Sequence, residues 1–135
     1  MTDRTLASTL AVAAGAGAAI AAYLTVVHYR GGVPVCVSGG CETVQRSRYA
    51  ELSGVPVATL GLGTYVALLA SSLTRRQLVL AGAAATALAG VVFAAYLVYV
   101  QLVVLDAVCV WCIASDALLV VAAAAATARV WRTIE

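Results

Sequence analysis

The sequence is poor in charged and polar side chains. Only 10% of its 135 residues are charged, it contains no lysine and no asparagine, and His28 is its one histidine. Soluble domains are roughly a quarter charged, so these few charges cannot cover the surface of a domain that faces water. Disordered chains and nucleic-acid-binding domains need more polar or more basic sequence than this. We therefore expect no nucleic-acid partner.

Long apolar runs dominate the rest of the sequence. Hydrophobic residues make up 64% of the chain, and the mean hydropathy is +1.02. A spanning helix needs about 20 mostly apolar residues, and no run alternates between apolar and polar positions as the strands of a membrane barrel do. We predict an all-α integral membrane protein, a four-transmembrane-helix bundle formed by a single membrane domain over residues 1–135. The predicted spans cover about residues 6–27, 55–74, 77–105 and 107–128.

The first apolar run also has a second interpretation. It is rich in alanine and glycine and follows Arg4, as the apolar region of a signal peptide follows a basic residue. The run is long for such a region, so we interpret it as a span.

The longest polar stretch, residues 28–54, is predicted to be an extracytoplasmic loop. Its first half is rich in glycine and therefore irregular. Its second half is predicted to form a short amphipathic half-helix from about Cys41 to Leu52. Gly54 then ends that helix, and Pro56 suits the first turn of the second span.

The arginines indicate how the spans are oriented. With four spans both termini lie on one side, and the side richer in arginine is normally cytoplasmic. We predict a multi-pass cell-membrane protein with cytoplasmic termini, and with the 28–54 loop and the turn at Asp106 on the extracytoplasmic face. The predicted cytoplasmic arginines are Arg4, Arg75, Arg76, Arg129 and Arg132, and the loop arginines are Arg30, Arg46 and Arg48.

This topology places all four cysteines on the extracytoplasmic face, where disulfides persist. Cys109 and Cys112 form a C-x-x-C at the start of the fourth span, so their sulfurs lie on one face of a helix. The N–H groups and the dipole at a helix N-terminus favour a thiolate, which makes this pair a candidate redox centre. A structural zinc site completed by the other two cysteines is the alternative.

The other two cysteines, Cys36 and Cys41, lie in the loop and are separated by residues that include Gly39 and Gly40. The loop can therefore bend enough to join them, either as a purely structural disulfide or as a reactive one. Two pairs at one membrane face favour thiol-disulfide exchange, with electrons passing from the loop pair to the helix pair. Because a disulfide at the bilayer edge is most easily reached by a lipid-soluble two-electron carrier, we expect a quinone as the acceptor.

The whole arrangement resembles the vitamin K epoxide reductase family, and the resemblance covers nearly the whole chain. Family members have a four-helix bundle core, a loop cysteine pair and a C-x-x-C that opens the last core helix, so the resemblance implies the same fold here. It rests on Cys36 and Cys41, the Cys41-x5-Ser47 spacing, Tyr49-Ala50 followed by Gly54-Val55-Pro56 and Leu60-Gly61, and CVWC at 109–112.

The resemblance implies a role for each cysteine. Cys112 attacks or contacts the quinone, Cys109 regenerates it by pairing with Cys41, and Cys36 exchanges with an external partner. Ser47 matches a Ser or Thr in the loop region of the family, and we include it in the predicted quinone site.

The resemblance also implies the partners. In prokaryotic members the usual outcome is oxidation of a thioredoxin-like thiol oxidase outside the cytoplasm and reduction of a quinone in the membrane. The quinone is expected to be of the menaquinone, ubiquinone or phylloquinone type. Because the chain ends at Glu135 without a fused thioredoxin-like domain, we expect that partner to be a separate protein, with membrane lipid around the helices.

Two departures from the family pattern concern the substrate. Animal members have a tyrosine four residues after the second C-x-x-C cysteine, where this chain has Asp116, and no asparagine matches their ring-contacting asparagine. These departures argue against reduction of a quinone epoxide, which is the alternative to thiol oxidation with quinone. Asp116 lies one turn beyond Cys112, where it is either a proton donor to the reduced quinone or a hydrogen-bonded helix contact. Trp111 either walls the quinone pocket or anchors the helix at the interface.

Two further classes of protein are alternatives. One is a non-enzymatic membrane module whose disulfides only staple an external loop. The other is an unrelated four-helix disulfide-generating protein, whose C-x-x-C follows the first span and whose second pair lies in a later loop. The order of the two pairs is reversed in this sequence.

Overall fold

The computed structural model describes residues 2–32, 40, 43–44, 46–52 and 54–134, and in these residues the protein is almost entirely helical. Among the described residues between Tyr29 and Val57 lie two short strands, a 3-10 turn and the helical residues Thr43 and Val44. The elements are α1 Asp3–Tyr29, a 3-10 turn Arg48–Ala50, β1 Glu51–Leu52, β2 Val55–Pro56, α2 Val57–Ser71, α3 Gln77–Tyr99 continued by a π-helix Val100–Val104, and α4 Val110–Ile134.

The helices follow the apolar runs of the sequence. Three of them, α1, α3 with its π-helical end, and α4, are long and apolar enough to cross a membrane. The second predicted span, 55–74, instead contains a helix of 15 residues, Val57–Ser71. It is shorter because Val55 and Pro56 belong to a strand and because the chain turns after Ser71.

Small side chains fill the interior of the bundle, and larger apolar side chains lie outside. Helix α1 packs against α2 and α4, and α3 packs mainly against α4. Alanines and glycines let helix backbones approach closely, which is how helices associate where lipid removes the hydrophobic drive. The buried small residues include Ala13, Ala14, Gly17 and Ala21 of α1, Ala84, Ala87 and Ala94 of α3, and Ala122, Ala123, Ala125 and Ala126 of α4. The exposed large apolar residues include Val12, Val66, Leu78, Val92 and Val120.

The predicted half-helix from Cys41 to Leu52 does not extend to Leu52. Among the described residues of this stretch, Thr43 and Val44 are helical, but Ser47 has extended backbone angles, with ψ at 160°. Its hydroxyl donates to the Val44 carbonyl at 2.7 Å. Beyond the 3-10 turn, β1 pairs with β2 in an antiparallel hairpin. The hairpin takes the backbone bonds that a helix would use, and Gly54 supplies the positive φ of 85° at its tip.

The end of the bundle remote from the cysteines is tied together by Arg129, whose side chain is 1% exposed. Its guanidinium donates to the Asp3 carboxylate at 3.2 Å, to the Ser71 carbonyl at 3.0 Å and to the Thr74 carbonyl at 2.8 Å. The last carbonyls of a helix have no partner within it, so Arg129 satisfies the end of α2. One side chain therefore joins the start of α1, the end of α2 and the end of α4.

Candidate functional site

Cys109 is the N-cap residue of α4. Its carbonyl accepts the first intrahelical bond, from Ile113 N–H at 3.0 Å, and its Sγ accepts from Cys112 N–H at 3.3 Å. An N-cap side chain normally takes up the N–H three residues ahead in this way. The sulfur of Cys109 thus receives a backbone donor from the second cysteine of the motif, an arrangement that stabilises negative charge on the sulfur.

The turn that leads into Cys109 is closed by Gln101, a 3% exposed residue in the π-helix. The main-chain carbonyl of Gln101 accepts from Ala107 N–H at 3.0 Å, and its side-chain Oε1 accepts from Cys109 N–H at 2.8 Å. Within this turn, directly before Ala107, Asp106 has a positive φ of 49°. The predicted turn at Asp106 is therefore a compact one, and Gln101 holds it at two points.

The loop between α1 and α2 reaches this turn. Val44 is buried and forms one small apolar cluster with Cys109. Gly40 lies so close to Val108 that a Cβ on Gly40 would be 2.4 Å from the Val108 carbonyl oxygen. Cys36 and Cys41, the predicted loop pair, lie outside the described residues. The described residues Gly40 and Val44 thus bring loop backbone against the residues that precede and include Cys109.

A cavity of about 220 Å³ lies next to Cys112 of the C-x-x-C motif. Helix α4 contributes one face to it, and α1, α2, α3, Val44 and the 49–52 segment contribute the remaining walls. Most of the lining is aliphatic, and its polar residues are Tyr49, Thr64, Tyr65, Gln101, Ser115 and Asp116. The α4 residues that line the cavity are Cys112, Ser115, Asp116 and Leu119.

Tyr65 of α2 is one of the polar residues that line the cavity. The side chain is 2% exposed, and its hydroxyl donates to the Ser115 carbonyl and lies 3.0 Å from Ser115 Oγ. Its ring occupies the space left by Gly17, where a Cβ would come within 2.3 Å of the ring. Helices α1, α2 and α4 are therefore interlocked at the level of Asp116.

The hairpin covers the cavity at the end nearer the loop. Tyr49, Ala50 and Leu52 line the cavity from this side. His28 Nε2, at the end of α1, lies 3.0 Å from the Glu51 carboxylate. This contact fastens the hairpin to α1.

A family comparison agrees with this arrangement. A model of the vitamin K epoxide reductase family matches residues 8–127, from the first turns of α1 to near the end of α4. The chain belongs to this family. It is therefore a member of a membrane family of oxidoreductases whose chemistry is associated with quinones.

The structure separates the four residues predicted to contact the quinone. Cys112 and Asp116 line the cavity, as their spacing of four residues on one helix face requires. Trp111 and Ser47 are not among the lining residues. The Trp111 ring packs on Tyr23, with ring centroids 5.1 Å apart, because the residue before Cys112 points about 100° away around the helix. The Ser47 hydroxyl is bonded to the Val44 carbonyl.

Three residues of the site were missed by sequence reasoning: Tyr65, Gln101 and Gly17. Tyr65 and Gln101 each place a polar group within a long apolar run. A polar group inside a membrane protein needs a hydrogen-bond partner, so a polar residue within an apolar run indicates a buried contact or a functional site. Gly17 carries no comparable signal, since its role depends on the helix opposite.

Proposed function

We propose that this family member is a membrane thiol:quinone oxidoreductase. It passes electrons from an extracytoplasmic thioredoxin-like dithiol partner through two cysteine pairs to a quinone, and so supports disulfide formation in proteins outside the cytoplasm. The carrying observation is that the C-x-x-C stands between the loop and the cavity. Cys109 is fully buried in a cluster with Val44 of the loop, and Cys112 packs against that cluster and also lines the cavity.

The relay runs in three balanced exchanges. The partner dithiol reduces a Cys36–Cys41 disulfide, and the partner becomes a disulfide. The Cys41 thiolate then attacks Cys109 of a Cys109–Cys112 disulfide, which forms a Cys41–Cys109 bridge and releases the Cys112 thiolate. Attack of Cys36 on Cys41 re-forms the loop disulfide and releases Cys109, so the two electrons now reside in the C-x-x-C dithiol.

The cavity residues fit a quinone head group. An apolar pocket with a few convergent polar groups is typical of sites for small ring ligands, and the polar groups here lie next to Cys112. When bound, a quinone of the menaquinone, ubiquinone or phylloquinone type accepts two electrons and two protons. Cys112 would contact it, Asp116 would hold a proton one helical turn away, and the aliphatic walls would exclude water.

We also propose a four-span topology in one membrane domain, with cytoplasmic termini and the cysteines on the extracytoplasmic side. It is supported by the contacts of Arg129, which join the start of α1 to the 71–74 segment and to α4 at one end of the bundle. Helix α2 is about 22 Å long at 1.5 Å per residue, and the hairpin before it adds to its reach. A membrane-impermeant thiol reagent should label cysteines introduced in the 28–54 loop of intact cells. Labelling of a cysteine at Arg75 or Arg132 instead would contradict this orientation.

The function is tested with purified protein, a reduced thioredoxin-like dithiol protein and a soluble quinone analogue. We expect dithiol oxidation only when quinone is present, and loss of turnover in Cys112→Ala while the protein stays folded. Val110→Ala, which changes an exposed residue of the same motif, is the matched control and should keep activity. Turnover in Cys112→Ala would show that the acceptor site has been assigned wrongly.

A second measurement tests the order of the relay. In Cys112→Ala, Cys109 has no partner in its own motif, so a Cys41–Cys109 bridge should accumulate from an oxidised loop pair. Non-reducing peptide mapping detects it. The absence of that bridge would indicate that the disulfides are purely structural and would support a non-enzymatic membrane module.

A further inference from the structure

We infer that Gln101 is a positioning residue that fixes Cys109 for exchange with the loop cysteine. The inference rests on the proposed relay and concerns only its loop-to-helix step. Gln101 belongs to neither cysteine pair, and no motif of the sequence singles it out.

The backbone around Gln101 departs from a regular α-helix. Helix α3 ends in a π-helix, Val100–Val104, and Leu105 N–H donates to the Val100 carbonyl at 2.8 Å, five residues back. Single π turns occur mostly inside helices at functional positions. This wider turn leaves the Gln101 carbonyl available to Ala107 N–H at 3.0 Å, so the chain reverses immediately before the C-x-x-C.

The side chain of Gln101 binds the backbone of Cys109. Gln101 Oε1 accepts from Cys109 N–H at 2.8 Å, and this bond is buried. As the N-cap residue, Cys109 precedes the helix, so its own N–H has no acceptor within α4. Gln101 supplies that acceptor, and a single residue thus holds Cys109 through its side chain and the preceding turn through its backbone.

The bond from Gln101 also fixes the position from which the Cys109 sulfur extends. With its backbone fixed at the N-cap, Cys109 directs Sγ to Cys112 N–H at 3.3 Å and packs against Val44 of the loop. Exchange needs the attacking sulfur in line with the disulfide, and misplacement by about 1 Å can cost a hundredfold in rate. Loss of the Gln101 bond should therefore slow the exchange between Cys109 and the loop pair.

The test isolates that step in the full chain carrying Cys112→Ala with the loop pair oxidised. Attack of the Cys109 thiolate on Cys41 forms the Cys41–Cys109 bridge and releases the Cys36 thiolate, with no net oxidation and no quinone. The rate of bridge formation is followed by acid quenching, thiol labelling and mass spectrometry. Gln101→Met keeps the length and flexibility of the side chain but lacks a carbonyl acceptor, and we expect a rate about tenfold lower, the scale of one neutral hydrogen bond.

Two further variants control the result. Gln101→Glu keeps an acceptor oxygen at the same reach and should restore the rate to within about threefold at alkaline pH, where the added charge matters least for thiolate formation. Gln77→Met makes the same replacement at an exposed residue at the start of α3 and should leave the rate unchanged. In the chain with Cys112 intact, Gln101→Met should lower kcat with the dithiol partner. Because Gln101 also lines the cavity, the bridge rate, which needs no quinone, decides whether the loop-to-helix step is affected.

The outcomes distinguish this inference from the proposed relay. A bridge that forms at the same rate with and without Gln101→Met overturns the inference and leaves the relay intact. The same conclusion holds if Gln101→Met lowers only the thermal unfolding midpoint, since Gln101 would then serve stability alone. A bridge that forms in neither chain overturns the relay itself. If Gln101→Met does not fold, Gln101→Asn, which withdraws the acceptor by one methylene, is judged by the same rate.

Discussion

Single side chains determine what each cysteine of the CVWC motif can reach. Gln101 accepts a hydrogen bond from the backbone of the buried Cys109, and Cys112, in the same helical turn, lines the cavity. Three residues further along, Ser115 is bonded to Tyr65, which packs into the space at Gly17. The chemistry of two sulfurs therefore depends on residues of three other segments.

Gly17→Ala should destabilise the bundle because its Cβ would come within 2.3 Å of the Tyr65 ring. Overpacking of a tight interior typically costs about 1 to 3 kcal/mol, and the displaced Tyr65 ring would disturb the cavity wall. We expect a lower free energy of unfolding in detergent and a higher KM for quinone.

Gly15→Ala is the matched control for that variant. A Cβ at Gly15 meets nothing within 4 Å, and replacing glycine by alanine inside a helix gains up to about 1 kcal/mol. It should therefore be neutral or stabilising. Equal destabilisation by both variants would show that Gly17 is not a contact point for Tyr65.

Tyr65→Phe removes the hydroxyl and keeps the ring that packs at Gly17. The expected loss is that of one hydrogen bond, about 1 kcal/mol in the free energy of unfolding, with a smaller effect than Gly17→Ala on cavity shape. Unfolding in detergent measures it, and Tyr99→Phe, at an exposed tyrosine of α3, is the control. If the two tyrosine variants lose the same stability, the Tyr65–Ser115 bond contributes nothing.

The helices and the loop pack most closely at glycines, which have no side chain. At Gly17, Tyr65 of α2 packs closely against α1. At Gly90 of α3, Leu119 of α4 lies 3.1 Å from the position that a Cβ would occupy. At Gly40, the loop packs closely against Val108 in the α3–α4 turn. Helices that cannot rely on the hydrophobic effect for association use this close approach to gain dispersion contacts. The loop likewise approaches the C-x-x-C closely because Gly40 has no side chain.

Gly40→Ala should slow electron transfer from the partner without altering the quinone site. Its Cβ would lie 2.4 Å from the Val108 carbonyl oxygen and 2.7 Å from Val108 N, and backbone cannot yield as a side-chain tip does. The loop must move away from Cys109, and a shift of about 1 Å can reduce the rate of an oriented reaction by up to about a hundredfold. Stopped-flow oxidation of the dithiol partner measures this rate.

Gly32→Ala is the control for the loop, because its nearest neighbour, Val27, would lie at an ordinary contact distance of 3.9 Å. It should react at the wild-type rate. A wild-type rate for Gly40→Ala as well would mean that the loop does not depend on this contact for exchange.

The molecule as a whole has two chemically different ends. The end with the C-x-x-C holds the loop, the hairpin and the π-helical turn. The opposite end is fastened by Arg129, Asp3 and the carbonyls of Ser71 and Thr74, with Arg75 also 3.5 Å from Asp3. One end therefore carries the proposed reaction, and the other fixes how the helices are arranged.

Arg129→Met should destabilise the fold and leave the site intact. Removing one partner of a buried ion pair costs about 3 kcal/mol or more, since the remaining polar groups stay buried, and here the end of α2 would also lose its donors. The free energy of unfolding should fall by about 3 kcal/mol or more, while KM for quinone stays at the wild-type value.

The control at this end is Arg132→Met, which changes an exposed arginine of the same helix. Surface substitutions usually change stability by less than about 0.5 kcal/mol. A changed KM in Arg129→Met would contradict the separation of the two ends.

The amino-acid sequence determined the features that depend on neighbouring residues. Runs of apolar residues produced α1, α3 and α4 close to the predicted bounds, and the turns after Ser71 and at Asp106 lie where polar residues interrupt the runs. The short motifs indicated the family, and the family comparison confirmed it. The half-helix to Leu52 failed because strand pairing with 55–56 competes for the same backbone groups, and local pattern does not report that competition.

The tertiary structure alone decided contacts between residues far apart in the chain. Tyr65 meets Ser115 across 50 positions, and Arg129 meets Asp3 across 126, so neither partner can be read from local periodicity. The sequence predicts Arg129 to be one of the cytoplasmic arginines, and only the structure shows that it is buried and joins three helix ends. Helix packing brings these groups together, because a buried polar group must find its partner wherever the fold presents one.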